Sequence, residues 1–231
     1  MVVNAKKITI LFVIAIIGSI LCFVGDLLLG CFYPVESTGI AVLFPAFSEQ
    51  WASANGARFI GGAICGIVAL LMMFCGFYSI FLSMNQLNTK CRKIFLIASF
   101  VFVAVGTVYH CTFAITAWLY NKISNFDPIM AQQISSEFFN TFIFVAVLAV
   151  IGFIILSSII FFASIKGACG NSKWFVLVNP LFFMVILVAL AKILPPNAIV
   201  TGIFDWGQQS ISLFLVFSIY LTYHLIHTYK K

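Results

Sequence analysis

Six ionisable side chains lie within or at the edge of long apolar runs: Asp26, Arg58, His110, Lys192, His224 and His227. Charge placed in a lipid-embedded segment is costly, so each of them marks a candidate site. Asp26 and Arg58 have opposite sign and could pair, or Arg58 could hold an anionic ligand group. His110 carries an imidazole that could donate, accept or shuttle a proton near neutral pH. Polar residues at neighbouring segment ends enlarge the set. The ligand-binding residues expected from the sequence are therefore Asp26, Arg58, His110, Glu137, Asn140 and Asp205. A purely structural reading stays open beside this one. In it Arg58 reaches the headgroups, Asp26 caps or pairs, and His110 bonds a neighbouring helix. His224 and His227 are three apart and share a helix face, yet no acid is expected near them to complete a metal site. They read as an interfacial belt with Tyr220, Tyr223 and Tyr229. Lys192, just before Pro195 and Pro196, can reach outward. No residue is assigned as catalytic or as a metal ligand, and no cofactor is assigned.

The elements that must position these residues are membrane spans. Of 231 residues, 63% are apolar and 8% charged, and Phe alone supplies 27. Mean hydropathy is +1.17. A soluble domain of this length could not hide so much apolar surface. Soluble enzyme, nucleic-acid module and disordered chain are excluded on that ground. Continuous apolar runs predict an all-α, polytopic transmembrane bundle in one domain, with helices at 8–30, 57–83, 94–120, 138–165, 174–194 and 208–228. Continuous rather than alternating runs argue against a β-barrel. With the N-terminus inside, nine Lys and Arg fall on the inner side and three, Arg58, Lys122 and Lys192, on the outer side. That asymmetry predicts a cell-membrane protein with both termini cytoplasmic. The net charge of +6 is thereby explained without nucleic acid. On this topology Asp26, Arg58 and His110 come from three consecutive helices at similar depth, in the outer half of the bilayer. Together they would form an outward-facing polar pocket.

The remaining signals are weaker. The segment after Lys6-Lys7 reads as a retained signal-anchor rather than a cleaved leader. Seven cysteines show no CxxC pair. Cys31 is expected outside and Cys91 and Cys169 inside, while Cys22, Cys65, Cys75 and Cys111 read as small apolar fillers. Gly62 and Gly66 have the spacing of close helix packing. Asn179-Pro180 suits a helix start or a kink. The first loop, 31–56, is rich in aromatic residues and prolines and is long enough to fold as a lid over the pocket. Walker A, HExxH, GxSxG and dinucleotide fingerprints are absent.

A run of short motifs adds a likeness. Gly25-Asp26-Leu27-Leu28-Leu29, Tyr33-Pro34, Arg58 with Gly61, Gly62 and Gly66, Lys173-Trp174, Asn179-Pro180 and Leu194-Pro195-Pro196-Asn197 occur in this order. The pattern resembles an uncharacterised family of bacterial six-helix integral membrane proteins, a domain of unknown function, over nearly the whole chain. The third helix departs most from it. The resemblance implies a topology and a bacterial inner-membrane setting, and no activity.

The leading functional expectation is binding or transport of a small molecule or lipid at the outward-facing pocket. Six helices are few for a transporter monomer, which points to a homodimer if transport is the role. Two alternatives stay open: an intramembrane lipid hydrolase using His110 and Asp26, and a ligand-free accessory membrane subunit. The lack of a catalytic motif favours a non-enzymatic role. The partners expected are the lipid bilayer and a small-molecule or lipid ligand.

Overall fold

The computed structural model describes residues 5–32, 49–84, 87–167 and 173–229. Tyr33, Pro34, Cys169 and most of the expected lid, 33–48, lie outside the described residues. Among those described there is helix and no strand. The helices are α1 Ala5–Gly30, α2 Glu49–Ser53, α3 Ala57–Ser83, α4 Thr89–Ser124, α5 Pro128–Thr141, α6 Ile143–Ile165, α7 Pro180–Ile193, α8 Ala198–Val200 and α9 Gln208–Tyr229. Five of them, α1, α3, α4, α6 and α9, are long and apolar enough to cross a membrane.

The expected spans 8–30, 57–83 and 208–228 match α1, α3 and α9 within a few residues. The other three differ for local reasons. The expected 94–120 helix lengthens to 36 residues in α4. Its start is fixed by Asn88, whose side chain accepts from the Lys90 N–H at 2.8 Å, and polar residues continue the helix at both ends. The expected 138–165 helix is two helices. Asp127 caps α5 by accepting from the N–H groups of Ile129 and Met130 at 2.9 and 3.0 Å. Pro128 occupies the first turn, where its missing N–H is harmless. Thus residues expected as loop are helical. The chain then breaks at Phe142, whose N–H turns back to the Phe139 carbonyl at 3.1 Å. The expected 174–194 helix begins later. Lys173–Leu177 is a 3-10 turn, and Asn179 caps α7 through the Leu181 N–H at 3.0 Å while its amide donates to the Ser157 carbonyl at 2.8 Å. At 14 residues, α7 rises about 21 Å, short of a ~30 Å hydrocarbon core.

Helix α1 is the hub, packing against α3 and α9. Its crossing with α3 depends on small residues. A Cβ added at Gly18 would lie 2.7 Å from the Met72 Cβ and 2.9 Å from the Ala69 carbonyl oxygen. No side chain fits there, and the two backbones approach closely for that reason.

The apolar core has two layers. One contains Phe12, Met73, Phe77, Phe95, Phe102, Phe153 and Phe217. The other contains Leu29, Trp51, Phe59, Phe113, Tyr120 and Phe139. At the far end of the first layer, a nitrogen of His224 on α9 lies 3.2 Å from the Ala5 carbonyl of α1. The described chain therefore starts and finishes at one end of the bundle. Lys6 and Lys7 are at that end, and Arg92 lies beside Phe81 there. Arg58 and Lys122 are at the opposite end, against Phe32 and Gly56.

Candidate functional site

Between the two apolar layers lies a polar cluster. Its carboxylate is Asp26 on α1, with Cys22 one turn earlier on the same face. His110 enters from α4, and Ser210 from the first turn of α9. His110 Nε2–H donates to Asp26 Oδ1 at 3.1 Å. The Ser210 hydroxyl donates to the other carboxylate oxygen, Oδ2. Cys22 Sγ lies 3.9 Å from the same His110 Nε2. The side chains of His110 and Asp26 are only 13% and 10% exposed, so the cluster is closed rather than an open pocket.

Each neighbour is shaped around this cluster. Gly66 of α3 leaves room for the imidazole, since a Cβ there would stand 2.4 Å from His110 Nδ1. Nδ1 is buried and has no hydrogen-bond partner among the described residues. Ser210 is delivered by an irregular approach, in which Thr201–Trp206 form one π-helical turn before Gly207 and α9. Such insertions concentrate at functional sites because they re-aim the following side chains.

An aromatic roof covers the cluster on the Arg58 side. The Trp51 ring meets Phe113 at 5.4 Å and Phe59 at 6.1 Å, and Trp206 meets Phe113 at 4.7 Å. Asn121 clamps α2 in place, its amide donating to the carbonyls of Trp51, Ala52 and Ala54 at 2.7, 3.1 and 2.8 Å.

The sequence-derived set is brought together only in part. Asp26 and His110 meet. Arg58 lies one turn further out and takes no part in an ion pair with Asp26. Its Nε–H donates to the Leu28 carbonyl at 2.6 Å and an Nη2–H to the Leu27 carbonyl at 3.2 Å, with the guanidinium 4.2 Å from the Phe32 ring centre. It thus satisfies the open Leu28 carbonyl and adds a second donor to the Leu27 carbonyl, which also accepts the Cys31 N–H at 3.0 Å, at a helix C-terminus where a cation also suits the dipole. Glu137 and Asn140 are on the exposed face of α5, where Glu137 accepts from the Gln133 amide at 3.1 Å. Asp205 is exposed in the π-helical turn. Partial desolvation raises its carboxyl above the usual range, and Lys192 pulls it back. His224 and His227 are each tied to a carbonyl, of Ala5 and of Tyr223, and not to each other.

Two members of the cluster escaped the sequence reading. Cys22 was visible as the residue four before Asp26, but a cysteine in an apolar helix is more often filler. Nothing in the sequence singled out Ser210, because its place depends on how α9 is docked.

The geometry narrows the chemistry. In a nucleophilic triad the base uses one ring nitrogen for the nucleophile and the other for the acid. Here Cys22 and Asp26 converge on a single nitrogen of His110, and Ser210 bonds the carboxylate rather than the imidazole. The arrangement suits holding a proton or an ion at one point, not activating a hydroxyl or thiol for attack. Thiol, carboxylate and imidazole together make a set of donor atoms all within 4.8 Å of one another.

The model of a family of unknown function (DUF6796) matches residues 1–226 of the chain. No curated protein and no solved structure matches it.

Proposed function

Since the chain belongs to that family of unknown function, we propose from its own geometry that it is a six-span membrane protein which binds a small polar molecule or a lipid headgroup at the Asp26–His110 cluster. Five membrane-length helices support the architecture. The sixth span would be α7 prolonged by the 3-10 turn Lys173–Leu177. Both termini face the cytoplasm in this reading. The described chain ends share one end of the bundle with most of the basic residues, which supports that orientation.

The observation that carries the functional reading is the hydrogen-bonded carboxylate and imidazole at 3.1 Å between two apolar layers. Packing alone does not need such a pair. Replacing a buried ion pair with apolar residues is often neutral or stabilising, so its presence in a membrane core points to use.

The test is co-purification. Wild type, Asp26→Asn and His110→Gln are purified in nanodiscs of defined phosphatidylcholine, and bound small molecules and lipids are identified by mass spectrometry. The expected result is a species retained by wild type and depleted in both variants, with Glu137→Gln unchanged. Identical profiles for all four proteins would leave the accessory-subunit reading in front.

A further inference from the structure

We propose that Cys22, Asp26 and His110 form a metal site of the zinc type, with a fourth coordination position open. The proposal deepens the reading that this cluster is the functional centre. The site requires no organic ligand.

The first support is distance. Zinc holds sulfur at about 2.3 Å and imidazole nitrogen or carboxylate oxygen at about 2.0 Å. In a tetrahedron those lengths place S and N about 3.6 Å apart, and N and O about 3.3 Å apart. The cluster has Cys22 Sγ 3.9 Å from His110 Nε2 and Nε2 3.1 Å from Asp26 Oδ1. Shifts of about 0.3 Å or less bring both edges to the ideal. The third edge joins Cys22 to Asp26, one helical turn apart on one face, with the donor atoms within 4.8 Å.

The second support is charge. A thiolate and a carboxylate with neutral imidazole carry two negative charges, which a divalent ion cancels. Neutrality is what a low-dielectric interior demands. On binding, the thiol gives its proton to solvent. The imidazole proton moves to Nδ1, which is buried beside Gly66 and has no partner among the described residues. Nε2 then offers its lone pair to the ion.

The third support is the surrounding shell. Ser210 donates to Asp26 Oδ2, the oxygen that does not face His110, and so fixes the carboxylate's orientation as outer-shell partners of metal ligands do. Softness favours zinc over magnesium or calcium, since a cysteine and a histidine are poor partners for hard ions. Three protein ligands leave one position for water or substrate, the composition of catalytic rather than structural zinc.

Cobalt(II) is the probe. The metal-free protein in nanodiscs is titrated with Co2+ and followed by absorption. Tetrahedral coordination gives intense visible bands, and a thiolate ligand adds a charge-transfer band in the near ultraviolet. The expected result is both features, saturating at about one Co2+ per chain and displaced by Zn2+. Cys22→Ser should abolish the charge-transfer band, while Cys91→Ser leaves it intact. Ser210→Ala should bind about 10–100-fold more weakly with the spectrum retained. Wild type lacking the band at stoichiometric cobalt would overturn the site, as would a band that survives Cys22→Ser. The wild-type titration does not depend on any variant folding. A cobalt site without a co-purifying organic species would sustain this proposal and defeat the ligand-binding one. A co-purifying species without cobalt binding would do the reverse.

Discussion

Asp26 uses both carboxylate oxygens on protein partners, one on His110 and one on Ser210. Breaking a buried pair from one side strands a charge or a donor, which costs about 3–5 kcal/mol in soluble proteins. Removing both partners strands no charge and leaves only the Ser210 hydroxyl without its acceptor. Asp26→Leu and His110→Leu are therefore expected to destabilise more as single variants than combined. A thermal or denaturant series in one detergent checks this, and simple addition of the two losses would contradict it. Gly66 is tested in the same way. A methyl group there collides with His110 Nδ1, so Gly66→Ala should cost about 1–3 kcal/mol as an overpacked core does. Of these residues, Asp26 and His110 were legible in the sequence as charges in apolar runs. Cys22 and Ser210 were not, because a thiol and a hydroxyl are common inside helices and become a site only through what stands opposite.

At the level of elements, Arg58 and Asp127 illustrate how far side chains define helix ends. Arg58 was read as a partner for Asp26 or for a ligand anion, since charge and depth both fitted. Its reach instead ends on the carbonyls of Leu27 and Leu28. Sequence supplied its depth but not its direction. Arg58→Gln is expected to loosen the last turn of α1, seen as faster amide exchange around residues 27–32, with the Asp26–His110 cluster retained. Unchanged exchange there would count against the capping role. Asp127 followed by Pro128 is a strong helix-start signal. Hydropathy hides it, because the segment after it is polar and its apolar period is weak. Asp127→Ala should destabilise α5 by about 1 kcal/mol, measurable as lost exchange protection confined to 128–141. The breaks at Phe142 and Asn179 were harder to see. Both interrupt runs that are apolar throughout, and hydropathy alone does not register where a backbone turns.

For the molecule as a whole, composition together with the continuity of the apolar runs was enough to predict helices of membrane length, because lipid admits only helices and closed barrels and barrel strands alternate. Side assignment rested on where Lys and Arg fall. It is checked by labelling intact cells with a membrane-impermeant maleimide. Gln132→Cys, on the exposed face of α5, should react, and Cys91 should react only after permeabilisation. The opposite pattern would invert the topology. The unequal lengths of α4 and α7 carry a further consequence. At 36 residues, α4 rises about 54 Å, more than any bilayer core requires, while α7 rises about 21 Å. Hydrophobic mismatch therefore falls unevenly on this fold. Thicker bilayers leave α4 fully matched and stretch the demands on α7, whose C-terminal flank continues through α8 into the turn that aims Ser210. With α7 as the proposed sixth span, lipid chain length would then act as a tuning variable on one wall of the cluster alone, and the protein would sense the thickness of its membrane through that helix.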